Sequence, residues 1–302
     1  MKIGLIGLGK MGANMAQRLL EGGHKVVGYD RDPQAVKRIV DQGNEGAASM
    51  DELAAKLPTP KIVWIMVPAG KPVDDTIDLL LKHMKAGDIL IDGGNSYYKD
   101  SMRRAKKLAE SGISMIDAGV SGGIWGLKEG YSMMVGGDEK AVSVMRPVFE
   151  ALAPGKEKGW GHVGPSGSGH FVKMVHNGIE YGLMEAYAEG FELLRKKGEF
   201  GLDLHQVAEI WRFGSVVRSW LLDLTADALS KDQDLKGISP FVADSGEGRW
   251  TALEAIDLGV SLPVITQSLY ERFSSQDSEE FGGRLLAMMR HEFGGHAVKE
   301  GK

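Results

Sequence analysis

The 302-residue sequence contains no cysteine, which excludes disulfides, thiolate metal sites and a cysteine nucleophile. It also lacks any uninterrupted apolar run of about 18 residues, so no membrane span is expected. The apolar stretch Met1–Leu8 is too short and too rich in glycine for a secretory leader, and a cytoplasmic location is the expectation. Positive charge is in deficit: 36 Lys and Arg against 41 Asp and Glu leave a net charge of −5. That sign offers no bulk attraction to nucleic acid or to an anionic membrane surface. Any anionic ligand therefore needs a local cluster of cations. No metal site is expected either. His291-Glu292 followed by His296 imitates a zinc-peptidase motif, but its spacing is one residue too long, and Gly294-Gly295 would break the helix that must carry it.

What remains is an ordinary globular composition, 43% hydrophobic and 25% charged, in a chain long enough for two domains. In the first half, Ile3–Ile6, Lys25–Tyr29, Ile62–Val67, Asp88–Ile91, Ser114–Ile116 and Met133–Val135 read as short strands, with helical patterns between most of them. That alternation predicts a parallel sheet covered on both faces. Around residues 155–169 the texture shifts to Gly, Lys, Pro and Ser, and beyond it strand signals fade. A long helix is expected from Ser168 to about Lys197, then helices near Asp203–Phe213, Val216–Ser230, Arg249–Leu258, Pro263–Ser274 and Phe281–His291. The spacing sets a boundary near Gly164. It separates an α/β domain over residues 1–164 from an all-helical domain over residues 165–302.

Gly7-Leu-Gly9-Lys10-Met11-Gly12 follows the first strand and opens a helix. The first glycine permits a tight turn, the second lets a pyrophosphate approach, and the third allows close helix–strand packing. Free N–H groups and the helix dipole then favour the phosphates. Asp30 closes the second strand, where a carboxylate accepts from both ribose hydroxyls and repels a 2′-phosphate. Arg31 beside it suits such a phosphate instead, so NAD is the expected cofactor with NADP as the alternative. Val67-Pro68 and Asp92-Gly93-Gly94-Asn95-Ser96 end later strands, where ligands of open α/β sheets bind. Asn95 and Ser96 are candidate contacts there, although a run of this type is also a plain turn. Ser121-Gly122-Gly123 offers a hydroxyl and backbone donors for a carboxylate.

The densest chemistry lies in Lys173-Met-Val-His176-Asn177-Gly-Ile-Glu180-Tyr181. At about 100° per residue, a helix gathers Lys173, His176, Asn177, Glu180 and Tyr181 onto one face over two turns. A solvated polar stripe would explain an arbitrary helix of this pattern. Two weak helix formers on this face, a glycine-rich lead-in and the upstream dinucleotide motif favour an active site instead. Trp211, Phe213, Trp220 and the methionine-rich stretches are expected in the core.

Taken together, Gly7-x-Gly9-x-Met11-Gly12, Asp92-Gly-Gly-Asn-Ser96, Ser121-Gly-Gly123, Lys173-x-x-His-Asn-x-x-Glu-Tyr181, Gly248-Arg-Trp-Thr251 and Arg290-x-x-Phe-Gly-x-His296 resemble the 6-phosphogluconate dehydrogenase family of the β-hydroxyacid dehydrogenase superfamily. The resemblance implies a Rossmann-type N-terminal domain followed by an all-α domain, and a sugar-acid phosphate substrate oxidised and decarboxylated with NAD or NADP. It implies Lys173 as the base, Asn177 and His176 as its helpers at the ketone oxygen, and Glu180 as the acid. Asn95, Ser121, Gly122 and Gly123 would orient the carboxylate and hydroxyls. Tyr181, Arg249, Thr251, Arg272, Arg290 and His296 would hold the phosphate. In the family the C-terminal tail reaches a neighbouring subunit, which implies a homodimer or homotetramer with intersubunit sites. This chain departs from the long family members in lacking their second set of helices. It also carries Asp30-Arg31-Asp32 where many have Asn-Arg-Thr, and Arg249 where lysine is usual. A dehydrogenase of a small β-hydroxy acid, such as 3-hydroxyisobutyrate, is the nearest alternative. A non-catalytic dinucleotide-sensing protein is the alternative from another class.

Overall fold

The computed structural model describes residues 1–299. Its first part runs β1 (Lys2–Ile6), α1 (Lys10–Glu21), β2 (Lys25–Tyr29), α2 (Pro33–Asp41), β3 (Glu45–Gly46), α3 (Met50–Lys56), β4 (Ile62–Ile65), α4 (Lys71–Leu80), β5 (Ile89–Asp92), α5 (Tyr98–Ala109), β6 (Ser114–Ser121), α6 (Gly126–Glu129), β7 (Ser132–Gly137), α7 (Glu139–Leu152) and β8 (Trp160–Gly164). Helices α8 (Ser168–Lys196), α9 (Leu204–Arg212), α10 (Trp220–Lys231), α11 (Glu247–Leu258), α12 (Pro263–Gln276) and α13 (Phe281–Gly294) follow. The chain divides into two compact units, Met1–Asn177 and the residues from Gly178 onward, so α8 begins in one and continues in the other.

The strands form one sheet in the order β3-β2-β1-β4-β5-β6-β7-β8. The order reverses between β1 and β4, the switch point at which such sheets open a ligand crevice. Strand residues alternate between two cores, as the period of two requires. Ile3, Leu5, Ile62, Trp64, Ile89 and Ile91 join one, while Ile6, Val63, Ile65 and Leu90 join the other. The sheet is parallel except for β6 with β7, which are antiparallel. An all-parallel expectation is corrected there, because the turn through α6 is too short for a crossover.

Two further differences concern strands. β6 runs to Ser121 rather than ending at Ile116, and β8 arises within the stretch read as a glycine–lysine texture change. In the second unit, Phe191, Leu204, Ala208, Leu222, Ala226 and Leu229 form a core with Trp211 packed against it. Phe213 and Trp220 do not join it; they are 73% and 47% exposed. Phe213 lies just beyond α9, with the Arg212 guanidinium 5.6 Å from its ring centre, and Trp220 opens α10 directly after its Ser219 cap. The methionine-rich α13 buries none of its residues. No helix among the described residues is long and apolar enough to cross a membrane.

Candidate active site

A cleft of about 700 Å³ opens at the carboxyl ends of β1, β2, β4 and β5. Its lining brings together Gly7, Gly9, Lys10, Met11, Gly12, Asp30, Arg31, Val67, Pro68 and Asn95. The three glycines of the first turn differ in what constrains them. Gly7 has φ +92°, and a side chain there would strike the Met66 carbonyl. At Gly12 a Cβ would collide with the Gly7 carbonyl oxygen. At Gly9 it would meet nothing within 4 Å. The protein's own packing therefore leaves Gly9 unexplained, whereas a ligand on the bare N-terminus of α1 explains it. Gly9 is the cap of that helix and supplies no side-chain bond. The cradle fits a dinucleotide pyrophosphate.

Asp30 is bound locally as well as facing the cleft. Its Oδ2 accepts from the Leu8 N–H at 2.6 Å and its Oδ1 from the Asp32 N–H at 2.8 Å. Each oxygen keeps a second lone pair for a ribose hydroxyl. Arg31 is exposed beside it. Of the Asp92–Ser96 loop, Asn95 faces the cleft, but Ser96 does not. Ser96 is buried and donates to Asp92 Oδ2 at 2.7 Å.

Farther along the sheet, β6 presents Asp117, Gly119 and Ser121 at alternating positions, hence on one face. Asp117 is fully buried and accepts from the Gly167 N–H at 2.6 Å and the His170 N–H at 3.0 Å. It thereby satisfies donors at the start of α8, which have no partner inside the helix. His170 also meets the Ser101 hydroxyl at 2.7 Å, tying α8 to α5. One turn on, the Lys173 Cβ lies so close to Gly119 that any side chain at Gly119 would displace it. Lys173 is itself only 7% exposed. The strand thus seats α8 at Asp117 and Gly119 and continues to Ser121 and the Gly122-Gly123 turn, where both glycines have positive φ. The Tyr131 ring packs beneath Gly122 and Gly126, and burial pushes its hydroxyl up to about 12. Asn14 and Arg18 of α1 hold the same turn by donating to the Ile124 and Leu127 carbonyls. His176 Nδ1 and Asn177 Oδ1 are 3.1 Å apart on α8.

In the second unit, Tyr181 is buried, and its hydroxyl lies 3.3 Å from both Asp244 Oδ1 and Ser245 Oγ. The Arg272 guanidinium stacks 3.3 Å from the Tyr181 ring centre and donates to the Ala243 carbonyl. Arg249 forks onto Asp244 Oδ2 at 3.1 and 2.7 Å. Burial works to raise the Asp244 carboxyl, but Arg249 and the Gly246 N–H outweigh it and hold it below its ordinary value. Tyr181, Arg249 and Arg272 thus gather around the 243–247 loop. Thr251 is buried, packs over Gly178 and donates its hydroxyl to the Glu247 carbonyl, which makes it a packing position of α11 in this structure. Arg290 and His296 are not brought to this group by any contact the structure describes. Arg290 lies exposed on α13, and the His296 ring leans on Phe293. Glu180 is half-buried on α8. Among the described residues, no three His, Asp or Glu side chains converge as metal ligands would.

Sequence reasoning missed Arg104, Asp117, Asp244 and Ser245. The first two are buried charges, which are almost never left in a core without partners. The signal of Asp117 was only a charge within the apolar run 115–120, and that of Arg104 was masked by Arg103, Lys106 and Lys107.

The fold and cleft define a dinucleotide-binding α/β protein with a helical second part. Residues 2–164 match the family model for the NAD binding domain of 6-phosphogluconate dehydrogenase, and residues 169–297 match that for the 6-phosphogluconate dehydrogenase C-terminal domain. The chain belongs to the 6-phosphogluconate dehydrogenase family. It is 46% identical over 299 residues to the NAD(+)-dependent, decarboxylating 6-phosphogluconate dehydrogenase of Haloferax volcanii, covering 99% of this chain and 98% of that protein. It is 41% identical over 293 residues to the NADP(+)-dependent enzyme of Bacillus subtilis, covering 92% of this chain but 62% of the longer relative. Plasmodium falciparum 6-phosphogluconate dehydrogenase superposes with a TM-score of 0.84 at 31% identity, covering all of this chain and 67% of that one.

Proposed function

We propose that this chain oxidises and decarboxylates 6-phosphogluconate to ribulose 5-phosphate with NAD as hydride acceptor, the step that feeds pentose phosphates. The observation that carries the reading is Lys173. It is a buried amine on the first turns of α8, seated against Gly119 of the strand that leads to Ser121.

A dinucleotide held by the Gly7–Gly12 turn and the loops after β4 and β5 would supply the nicotinamide that accepts the hydride from C3. Lys173 takes the proton of the 3-hydroxyl as that hydride departs, and a β-keto acid results. The protonated amine then donates to the new ketone oxygen, with Asn177 and His176 helping to hold it, so that the oxygen accepts charge as the C1–C2 bond breaks. Carbon dioxide leaves, and the bonding electrons form an enediol. Glu180, two turns on, protonates the carbon that becomes C1 of the product. Ser121, Gly122, Gly123 and Asn95 orient the carboxylate and hydroxyls, and Tyr181, Arg249 and Arg272 receive the phosphate, for which arginine forks are suited. Thr251 supports that group through packing.

Asp30 favours NAD over NADP. The domain boundary lies near Gly164, and the protein works in the cytoplasm as a homodimer or homotetramer. That α13 buries none of its residues supports a role for Arg290 and His296 in a neighbouring copy's site. The test is nicotinamide reduction with 6-phosphogluconate, NAD and NADP in parallel, while CO2 is trapped. Reduced cofactor and CO2 should appear in equal amounts, faster with NAD. Reduction with unphosphorylated β-hydroxy acids alone would replace this substrate, and dinucleotide binding with no turnover would favour a sensing protein.

A further inference from the structure

The two loops that close the far end of the cleft, residues 67–70 after β4 and 92–96 after β5, are joined by one buried side chain on α5. Arg104 is 1% exposed. Its Nε donates to Asp74 Oδ1 at 2.8 Å, and its Nη2 to Asp74 Oδ2 at 3.3 Å and to the Gly70 carbonyl at 3.0 Å. Its Nη1 reaches Ser96 Oγ at 3.4 Å and Asp92 Oδ2 at 3.5 Å. Asp92 is fully buried, and its other oxygen accepts from the Gly94 N–H at 3.1 Å. One guanidinium therefore touches the end of the first loop, the first turn of α4 and both anchors of the second loop. Pro68, two residues before Gly70, and Asn95, between Asp92 and Ser96, line the cleft.

A buried ion pair is poor evidence for stability, because desolvation offsets most of the attraction. What a rigid planar fork with several donors does supply is a fixed separation between the groups it joins. The neighbouring Arg103 shows the contrast. It bonds the same Asp74, but from outside, with about half its side chain exposed and no contact to either loop among its described bonds.

We propose that Arg104 is a positioning residue for the cofactor: it sets the gap between the two loops and so places Pro68 and Asn95 against the nicotinamide half of the dinucleotide. Asp30, directly after β2 at the other side of the Gly7–Gly12 turn, marks the adenosine end. The loops after β4 and β5 therefore lie at the nicotinamide end. This inference rests on the reading of the cleft as the NAD site.

The experiment compares binding of NAD and of ADP-ribose, which lacks the nicotinamide, by calorimetry on the full chain. Arg104→Lys keeps the charge but loses the fork. It should weaken NAD on the order of 10-fold, leave ADP-ribose within about 2-fold, and raise the KM for NAD more than that for 6-phosphogluconate. Ser96→Ala removes one anchor while Asp92 keeps Arg104 and the Gly94 N–H, and should show the same split at several-fold. Arg103→Lys should bind both ligands as the parent does. Equal weakening of NAD and ADP-ribose by either cleft variant, or no weakening at all, would overturn the proposal. If the parent chain binds neither ligand, the cleft reading itself fails. Should Arg104→Lys not fold, the Ser96→Ala split decides alone.

Discussion

Arg104 of the first unit and the Arg249–Arg272 pair of the second are set in opposite ways. In the first, each nitrogen of Arg104 is spent on protein acceptors inside the fold. In the second, Arg249 is exposed, tied to one carboxylate, Asp244, and set over the Phe273 ring, while Arg272 rests on the Tyr181 ring and donates to the Ala243 carbonyl. A frame complete within itself is built to hold a shape before any ligand arrives. A cation held at the surface by one anion is built to change partners. The Arg104 frame is therefore expected to be insensitive to salt, and the Arg249 pair to respond to it.

The sharpest way to separate the two is to delete chemistry without touching either setting. Lys173→Met should cut turnover by about 10³-fold or more while NAD and 6-phosphogluconate still bind. Normal turnover in that variant would remove Lys173 from the reaction. Next in size, Arg249→Ala should raise the KM for 6-phosphogluconate by about 10- to 100-fold with a smaller change in kcat. An unchanged KM would mean that Arg249 serves Asp244 only, and the contrast would collapse. The double variant Arg249→Ala with Asp244→Ser controls for the carboxylate left behind.

The smallest effect is one of pH. The Arg104 bonds, with help from Arg103 and against a desolvation penalty, hold Asp74 at about 2, below its ordinary 3.8. A carboxyl with a lowered folded value stabilises the protein fully above the unfolded value, near 4, and loses that contribution as pH falls through about 2. Because Asp74 is about a third exposed, solvent screening leaves on the order of 1 kcal/mol. Thermal melts between pH 5 and pH 2 should fall more steeply for the parent than for Asp74→Asn. Parallel curves would show that the frame of the first unit does not depend on this pair.

The periodic features were legible. Strands β1, β2, β4 and β5, the glycine turn and nearly the full length of α8 follow from apolar runs and spacing that local sequence controls. The features that depend on what packs against a segment were not. β6 was cut short at Ile116 because Asp117 and Gly119 look unlike a strand interior. Asp117 is tolerated there only because α8 brings two N–H groups to it, and Gly119 is required only because Lys173 lies over it. Arg104 was hidden among four basic residues, Arg103, Arg104, Lys106 and Lys107, of which only Arg104 turns inward. Ser96 looked like a ligand contact because its loop reaches the cleft, yet its hydroxyl points back to Asp92. The arginines proposed to receive the phosphate came from family likeness, and nothing local marks them out from surface charge.

The open space at Gly9 carries one more consequence. Its backbone, at φ −62° and ψ −171°, is one that alanine adopts without strain, and the added methyl would touch no protein atom within 4 Å. Gly9→Ala should therefore yield a twin of this protein that folds like the parent but is blind to the dinucleotide. Such a twin would let the sugar phosphate be soaked, titrated or crystallised beside an intact Lys173 with no hydride acceptor present. Capture of the substrate could then be watched apart from its destruction.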